Sequence, residues 1–366
     1  MAWSRAGTFA NVRGVVRNDI RSRNSTVKAI GWNTEFAAGE DWSITTDLSY
    51  SAVERNDLDL ETYSGTGFGN TGAANTLGYQ QGGGGGFIFS SVLDYSDPSL
   101  ILLTDPQGWG GATGQAGFLK EPQTNDELTS LRLSAERELH AVFSSIEFGV
   151  NISNREKEKD SIENFVDLVG GNTTPVPVPA QFLQSPTSLA FLGLGEMISY
   201  DPRALLNAGG IYTLRPLVNS DVVVKAWNVE EEVTTLYTQL NIDNVMFSVP
   251  VSGNLGLQLV HTDQSSTGGV MTNTGPQIVS DGDTYDEILP ASISPGISPT
   301  MIACASAIAR TLARPRMDDL RASFAVNYNF GNILVTDPSQ SYWSGNGGNP
   351  RLRPWVANSF DLSYEH

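Results

Sequence analysis

The chain has 366 residues and carries 22 Lys and Arg against 40 Asp and Glu, which gives a formal net charge of -18. A surface that acidic repels phosphate backbones and so removes the main source of affinity for nucleic acid. Cys304 is the only cysteine, so neither a disulfide framework nor a cysteine-based metal site can form within one chain. These features exclude nucleic acid as a partner but leave the fold class open.

No stretch of the sequence approaches the eighteen or so uncharged apolar residues that a membrane-spanning helix needs. The longest apolar runs, at residues 100–103 and 301–309, are far too short. The first part of the chain places Arg5, Arg13 and Arg17 in polar sequence, without the continuous apolar segment of a secretory signal. A β-barrel remains compatible with this hydropathy, because lipid-facing and lumen-facing side chains alternate along each strand.

Strict two-residue alternation predicts a β-hairpin between residues 30 and 52. On the second strand, Trp42, Ile44 and Leu48 share one face, while the intervening Ser, Thr and Asp residues share the other. The polar segment 38–41 supplies a short reversal between the strands. One face of this hairpin is therefore apolar and the other is polar.

The same alternation returns further along the chain. It is clearest at residues 145–153 and 255–259, and weaker at 131–135, 236–242, 324–330 and 360–364. Charged residues alternate in sign at 155–160 and predict that one strand extends beyond the membrane into water. We therefore predict roughly ten to twelve strands.

Short connections alternate with long ones. The short ones lie at 38–41, about 138–143 and about 243–252, and the long ones at about 54–84, 154–221 and 263–284. Tight turns on one side and long loops on the other are typical of outer-membrane barrels. A soluble sandwich also carries long loops, but seldom so consistently on one side. Within the longest loop, residues 201–209 predict a short capped helix.

No residue pattern in the sequence predicts catalysis or a resident metal. Residues 67–72 match the dinucleotide-binding fingerprint formally, but no strand precedes them and no helix follows. His140, His261 and His366 lack metal-ligand spacing with each other or with Cys304. We therefore predict that the protein is not an enzyme and uses no cofactor and no metal.

Asp281, Asp283, Asp286 and Glu287 offer the carboxylate oxygens that calcium prefers. Their spacing does not fit the twelve-residue calcium-binding loop. We therefore favour a solvated acidic external loop, or one bridged by divalent ions to lipopolysaccharide.

Trp109, Trp227 and Trp343 are the candidate ligand-stacking residues. Each is equally compatible with packing inside a loop or at an interface, and the sequence does not decide between these roles. Trp32, Phe36 and Trp42 surround the short reversal at 38–41. They would belong to the aromatic belt of a barrel or to the core of a soluble sheet.

Three C-terminal segments resemble TonB-dependent receptors and occur in the right order. The segment YDEILP at 285–290 is similar to the family's strand opening, and 309–315 is similar to its Ala-Arg-Pro segment. Residues 348–354 match the Gly-Asn-Pro-x-Leu-x-Pro motif that precedes a barrel strand, here predicted at 358–366. The matching residues are Ala313, Arg314 and Pro315, then Gly348, Asn349, Pro350, Leu352 and Pro354.

The resemblance implies an all-β fold, an antiparallel transmembrane β-barrel with long extracellular loops. Residues 1–366 would form one partial barrel domain, about half of the family's roughly twenty-two strands, with the plug domain and the C-terminal strands outside this chain. For the intact receptor it implies energy-dependent import of a scarce, bulky ligand across the outer membrane of a Gram-negative bacterium. That ligand would be a ferric siderophore, a cobalamin-like cofactor or an oligosaccharide.

The resemblance also implies partners. These are outer-membrane lipid and lipopolysaccharide, the imported small-molecule or oligosaccharide ligand, and a TonB-type energy-coupling protein acting through the missing plug. The fragment alone would not transport. A secreted, soluble β-rich module that binds glycan through its loops is the alternative from another class, and an open porin is a third.

The barrel and the soluble module differ in what contacts the apolar face. In a barrel, Ile44→Arg at mid-membrane should cost roughly 2 to 4 kcal/mol, whereas Thr45→Arg, which faces the lumen, should be mild. Unfolding of both variants in detergent, compared with the unaltered parent, measures the difference. Equal tolerance of the two substitutions would count against the barrel.

Overall fold

A computed structural model describes residues 5–82, 86–246, 249–297 and 303–365. Its regular structure is almost entirely β, which confirms the predicted fold class at that level. Within these residues, no helix combines the length and the apolar character needed to cross a membrane. The strands are β1 (Ala6–Val12), β2 (Val16–Ala38), β3 (Trp42–Gly65), β4 (Asn75–Gln81), β5 (Phe87–Ser91), β6 (Leu102–Leu103), β7 (Gly117–Glu138), β8 (Ser145–Leu168), β9 (Val176–Pro177), β10 (Leu183–Ser188), β11 (Glu196–Tyr200), β12 (Tyr212–Pro216), β13 (Trp227–Met246), β14 (Val249–Thr272), β15 (Gly275–Ile297), β16 (Ala303–Ala313), β17 (Phe324–Tyr328), β18 (Trp343–Gly347) and β19 (Trp355–Glu365).

Helical segments are short. The α-helices are α1 (Pro202–Asn207) and α2 (Ser220–Val223). Single turns of 3-10 helix lie at Gly111–Thr113, Ala180–Phe182, Ala190–Leu192, Met317–Asp319, Phe330–Asn332 and Pro338–Gln340.

The chain divides into two compact units. The first consists of residues 1–24, 56–122 and 161–218, and the second of residues 25–55, 123–160 and 219–366.

The second unit contains most of a sheet in the order β2-β3-β7-β8-β13-β14-β15-β16-β19, of which β2, β3, β7 and β8 also include residues of the first unit. The five pairs from β8 to β19 in this order are antiparallel. The connections at 39–41 and 139–144 are as short as predicted, and Gly39 makes the first turn possible with a φ of 79°. Since spatial order follows chain order among these nine strands, the sheet is a meander of hairpins.

The first unit has a continuous hydrophobic core. Helix α1 contributes Leu205, which is fully buried, and begins as the sequence predicts. The Asp201 carboxylate accepts hydrogen bonds from the backbone N–H groups of Arg203 and Ala204, and Pro202 occupies the first turn. The other buried members of this core are Val16, Leu60, Ile101, Leu103, Ala116, Leu119, Val166, Leu168, Val178, Ile198, Tyr200 and Tyr212.

The predicted long loop at 263–284 is wrong. Strand β14 continues to Thr272 and β15 begins at Gly275, so a tight turn joins two long strands. On one face of β14, Thr262, Gln264 and Ser266 are buried where the strand extends into the predicted loop. Polar side chains there give no apolar alternation, and the strand signal is therefore lost from the sequence.

The other two predicted long loops, at about 54–84 and 154–221, are shorter than expected because the strand before each of them is longer. Strand β3 continues to Gly65 and β8 to Leu168, so each predicted loop begins with strand. Strand β8 continues through residues 155–160, so the predicted strand extension is confirmed, while its position beyond a membrane stays a prediction. Within the described residues, the structure holds more strands than the roughly ten to twelve predicted.

Leu205→Ala tests the packing of the first unit. The substitution removes a fully buried side chain from the core and should lower the free energy of unfolding by about 2 to 5 kcal/mol. Asn207→Ala, at an exposed position of the same helix, should change it by less than about 0.5 kcal/mol. Pulse proteolysis in urea measures both, and similar values for the two variants would contradict the packing described.

Candidate functional site

One face of the nine-stranded sheet is apolar and exposed. The register places Leu236 of β13 opposite Val150 of β8 and Leu259 of β14. Leu236 is 52% exposed and Phe148 is 45% exposed, although both lie in well-paired strands. Exposed apolar side chains lie on each strand of this sheet: Ile30, Trp32, Phe36, Leu48, Tyr50, Leu131, Leu133, Phe148, Ile152, Leu236, Leu255, Leu257, Leu259, Ile288, Ile308, Phe360, Leu362 and Tyr364.

The opposite face is polar, and its side chains bond across neighbouring strands. Asn33 donates to Asp47 over 3.2 Å, and Ser43 donates to Glu35 over 2.8 Å. Alternation therefore separates an apolar face from a hydrogen-bonded face along the strands that carry these residues. Further along, the apolar side becomes polar: Asn228 donates to Glu156, and His261 pairs with Asp286 next to Leu259 and Ile288.

Tyr237 lies at the centre of one such group on the polar face. Its hydroxyl donates to Glu147 over 2.8 Å and accepts from Arg132 Nε over 2.9 Å. Arg132 Nη2 also donates to Glu147 over 2.9 Å. A Cβ at Gly149 would come within 2.8 Å of the tyrosine ring, so glycine leaves room for the ring on this face.

A pocket of about 680 Å³ opens on the polar face and is lined by charged groups from three strands and the segment after β16. Its charged residues are Arg155 of β8, Glu231 of β13, Arg310 of β16, and Arg314 and Arg316 of the following segment. Uncharged polar and apolar residues complete the walls, among them Ser153, Thr235, Gln258, Leu128, Val260, Leu289 and Met317.

Carboxylates hold three of these guanidinium groups. Arg155 makes a bidentate pair with Asp126, with distances of 2.9 and 2.7 Å. Arg310 Nη2 donates to Glu287 over 2.7 Å. Each of these pairs fixes the direction of a guanidinium at the pocket wall.

Glu231 and Arg314 form the third ion pair, but without a hydrogen bond between them. Arg314 Nε lies 3.2 Å from Glu231 Oε1, and the Glu231 side chain is only 8% exposed. Within the described residues, Glu231 Oε1 and Arg310 Nε are buried and make no hydrogen bond. Buried polar atoms normally find a partner, so these two are unusual features of the pocket.

Arg316 is exposed, and among the described residues its guanidinium group has no hydrogen-bond or ion-pair partner. Its charge acts on Asp318 nearby. Burial works to raise the pKa of Asp318, but the hydrogen bond from Lys157 and the charges of Lys157, Lys159 and Arg316 hold that pKa below its ordinary value. Lys157, Lys159 and Arg316 therefore act on the same carboxylate beside the pocket.

The segment 348–354 lies against the polar face beside the pocket. The Gln264 amide donates to the carbonyl oxygens of Pro350 and Leu352. Leu352 packs against a small core formed by Trp227, Val229, Met317 and Leu320. A Cβ at Gly348 would lie 2.4 Å from the carbonyl oxygen of Arg321, so this close approach favours glycine.

The acidic residues expected in an external loop lie instead on β15, and each has a basic partner. Asp281 pairs with Arg351 at 2.7 Å, and the hydrogen bond from Arg351 holds the pKa of Asp281 below its ordinary value. The other pairs are Asp283 with Arg353, Asp286 with His261 and Glu287 with Arg310. In the parts of the chain described, no cluster of His, Cys, Asp and Glu is placed to hold a metal ion.

The three candidate tryptophans differ in what they offer a ligand. Trp109 is 52% exposed and meets Tyr63 edge-on at 4.9 Å. Trp343 is 54% exposed and lies 4.7 Å from the Tyr328 ring. Trp227 is only 6% exposed, so a ligand would have to displace its packing to reach the ring.

The family motifs and the pocket share two residues. Arg314 and Pro315 belong to the Ala-Arg-Pro segment and also line the pocket wall. Sequence reasoning did not single out Glu231, Arg310 and Arg316 as candidate site residues. Glu231 lies directly opposite Arg155 in register, a relation that emerges only once the strands are paired.

No family model and no curated protein matches the chain. Among solved structures, the crystal structure of the siderophore receptor PiuA from Acinetobacter baumannii is similar at 9% identity and a TM-score of 0.31. The alignment covers 98% of this chain and 54% of the receptor, so the chain spans about half of that receptor's length. A likeness this weak carries no argument about the function of the chain.

Gln264→Leu tests whether its buried amide holds the segment 348–354. The variant loses both hydrogen bonds to the segment, and local opening should become easier by about 1 to 3 kcal/mol. Hydrogen exchange of the backbone amides between residues 348 and 354 measures the free energy of this local opening. Gln277→Leu, at an exposed position of β15, is the matched control, and unchanged exchange in the Gln264 variant would contradict the assignment.

Proposed function

We propose that the chain is part of the transmembrane β-barrel of an outer-membrane importer of the TonB-dependent kind. The single observation that carries the proposal is the exposed apolar face, which continues over nine neighbouring strands opposite a polar, hydrogen-bonded face. Apolar side chains on that scale are costly in water and favourable against hydrocarbon. Lipid is the surrounding that satisfies such a face without a second protein layer.

Strand pairing supports a larger barrel. Within the described residues, β2 pairs only with β3 and β19 pairs only with β16. Unpaired backbone groups at such edges are costly in lipid. We therefore propose that residues 1–366 form part of one barrel domain, about half of roughly twenty-two strands, which further strands complete.

The resemblance of Ala313, Arg314, Pro315 and the segment 348–354 to the receptor family supports the finer proposal. The intact protein would lie in the outer membrane of a Gram-negative bacterium, beside lipid and lipopolysaccharide. It would import a ferric siderophore, a cobalamin-like cofactor or an oligosaccharide, with energy supplied by a TonB-type protein through a plug. Trp109 and Trp343 remain proposed ligand contacts because their rings are accessible.

The competing proposal is a soluble, β-rich module that binds glycan. One observation favours it: Tyr328, Tyr342 and Trp343 form an exposed aromatic group, with ring centroids between 4.7 and 6.4 Å apart. Such a group suits the face of a sugar ring. It does not account for the apolar face of the sheet, and we therefore favour the importer.

Spin labels at two adjacent positions of β14 test the barrel directly. Leu257→Cys lies on the apolar face and Gln258→Cys on the polar face, each in a background in which Cys304 is replaced by Ser. In lipid vesicles, a label at 257 should collide mainly with dissolved oxygen, and one at 258 mainly with a water-soluble nickel complex. Equal access of the nickel complex to both labels, in a chain that stays soluble without lipid, would favour the glycan-binding module.

A further inference from the structure

The pocket on the polar face has a charge opposite to that of the chain. Among the described residues, four guanidinium groups and one carboxylate line it, and with the carboxylates of Asp126 and Glu287 that pair with two of these arginines the formal charge is +1, whereas the whole chain carries -18. Arginines collected at one point of so acidic a protein create a local positive potential.

These guanidinium groups keep donors available for a ligand. A guanidinium has five N–H donors, and one carboxylate accepts at most two of them in a bidentate pair. Arg310 uses Nη2 for Glu287, while its Nε is buried without a partner within the described residues. Arg314 is engaged through Nε, and Arg316 projects its whole guanidinium without a hydrogen bond among the described residues.

We infer that this pocket binds an organic polyanion that carries two or more carboxylate or phosphate groups. The planar fork of arginine matches the oxygens of both groups, and several forks at one point favour a ligand with several anionic groups. A volume of about 680 Å³ lies in the usual range for small-molecule sites. The inference rests on the proposed function, since it names the class of ligand that the importer would hold on its polar face.

Glu231 is the internal competitor of that ligand. Among the described residues it is the one carboxylate on the pocket wall, and its ion pair with Arg314 lacks the geometry of a hydrogen bond. An incoming anion would therefore be repelled by Glu231 and attracted by the arginines. This arrangement gives the site a signature: loss of Glu231 charge strengthens binding, whereas loss of an arginine weakens it.

The test uses the full chain in detergent micelles and two probes of the same shape. Benzene-1,3,5-tricarboxylate carries three negative charges, and the corresponding triamide carries none. Isothermal titration should show binding of the tricarboxylate alone, weakened by added salt. Arg316→Ala should weaken that binding about tenfold and Arg316→Lys by less, because lysine keeps the charge and loses the fork.

Glu231→Gln keeps the shape of the side chain and should strengthen binding of the tricarboxylate by about three- to tenfold. Arg137→Ala removes an exposed arginine that does not line this pocket and should leave binding unchanged. Arg316 lies at the surface, so its variants keep the test decisive even if the Glu231 variant does not fold.

Absence of tricarboxylate binding, equal binding of the triamide, or weaker binding by the Glu231 variant when folded would overturn the inference. Insertion into lipid vesicles is measured separately and distinguishes the two proposals. A chain that inserts but does not bind the tricarboxylate contradicts only the polyanion site. A chain that binds it but remains soluble without lipid contradicts the importer.

Discussion

The constraint on which the structure depends is two-residue alternation maintained in register across nine paired strands. A slip of one residue between two strands would turn every side chain of one of them to the opposite face. The register prevents this: Leu236 lies opposite Val150 and Leu259, whereas Tyr237 lies opposite Gly149 and Gln258. The same pairing satisfies the backbone along the strands, which is the condition for crossing hydrocarbon.

The polar face follows from the same alternation, and it concentrates the charged chemistry of the second unit. On this face three carboxylates of β15 pair with arginines: Asp281 with Arg351, Asp283 with Arg353 and Glu287 with Arg310. Arg314, Arg310 and Arg155 are held around the pocket in the same way. Acidic residues therefore orient arginines on this face, although the net charge of the chain is strongly negative.

How far the sequence predicts each strand depends on whether its two faces differ in polarity. Trp42, Ile44 and Leu48 alternate with polar residues, so the order of residues alone predicts the hairpin and its apolar face. Strand β14 is equally regular in register at Thr262, Gln264 and Ser266, but these buried residues are polar, so the sequence shows no alternation of apolar and polar residues there. The pocket escaped prediction for another reason, because Arg155, Glu231 and Arg310 come from distant parts of the chain and meet only through strand pairing.

The central claim is that the apolar face contacts lipid, and photoactivatable phospholipids test it most directly. The chain is reconstituted in vesicles that contain such a lipid, irradiated, and mapped by mass spectrometry. Labels should fall on apolar-face residues of every strand in the sheet, such as Trp32, Phe148 and Leu259, and should spare Glu147, Tyr237 and Gln258. Labels spread equally over both faces, or absent from the apolar face of a folded chain, would contradict the account.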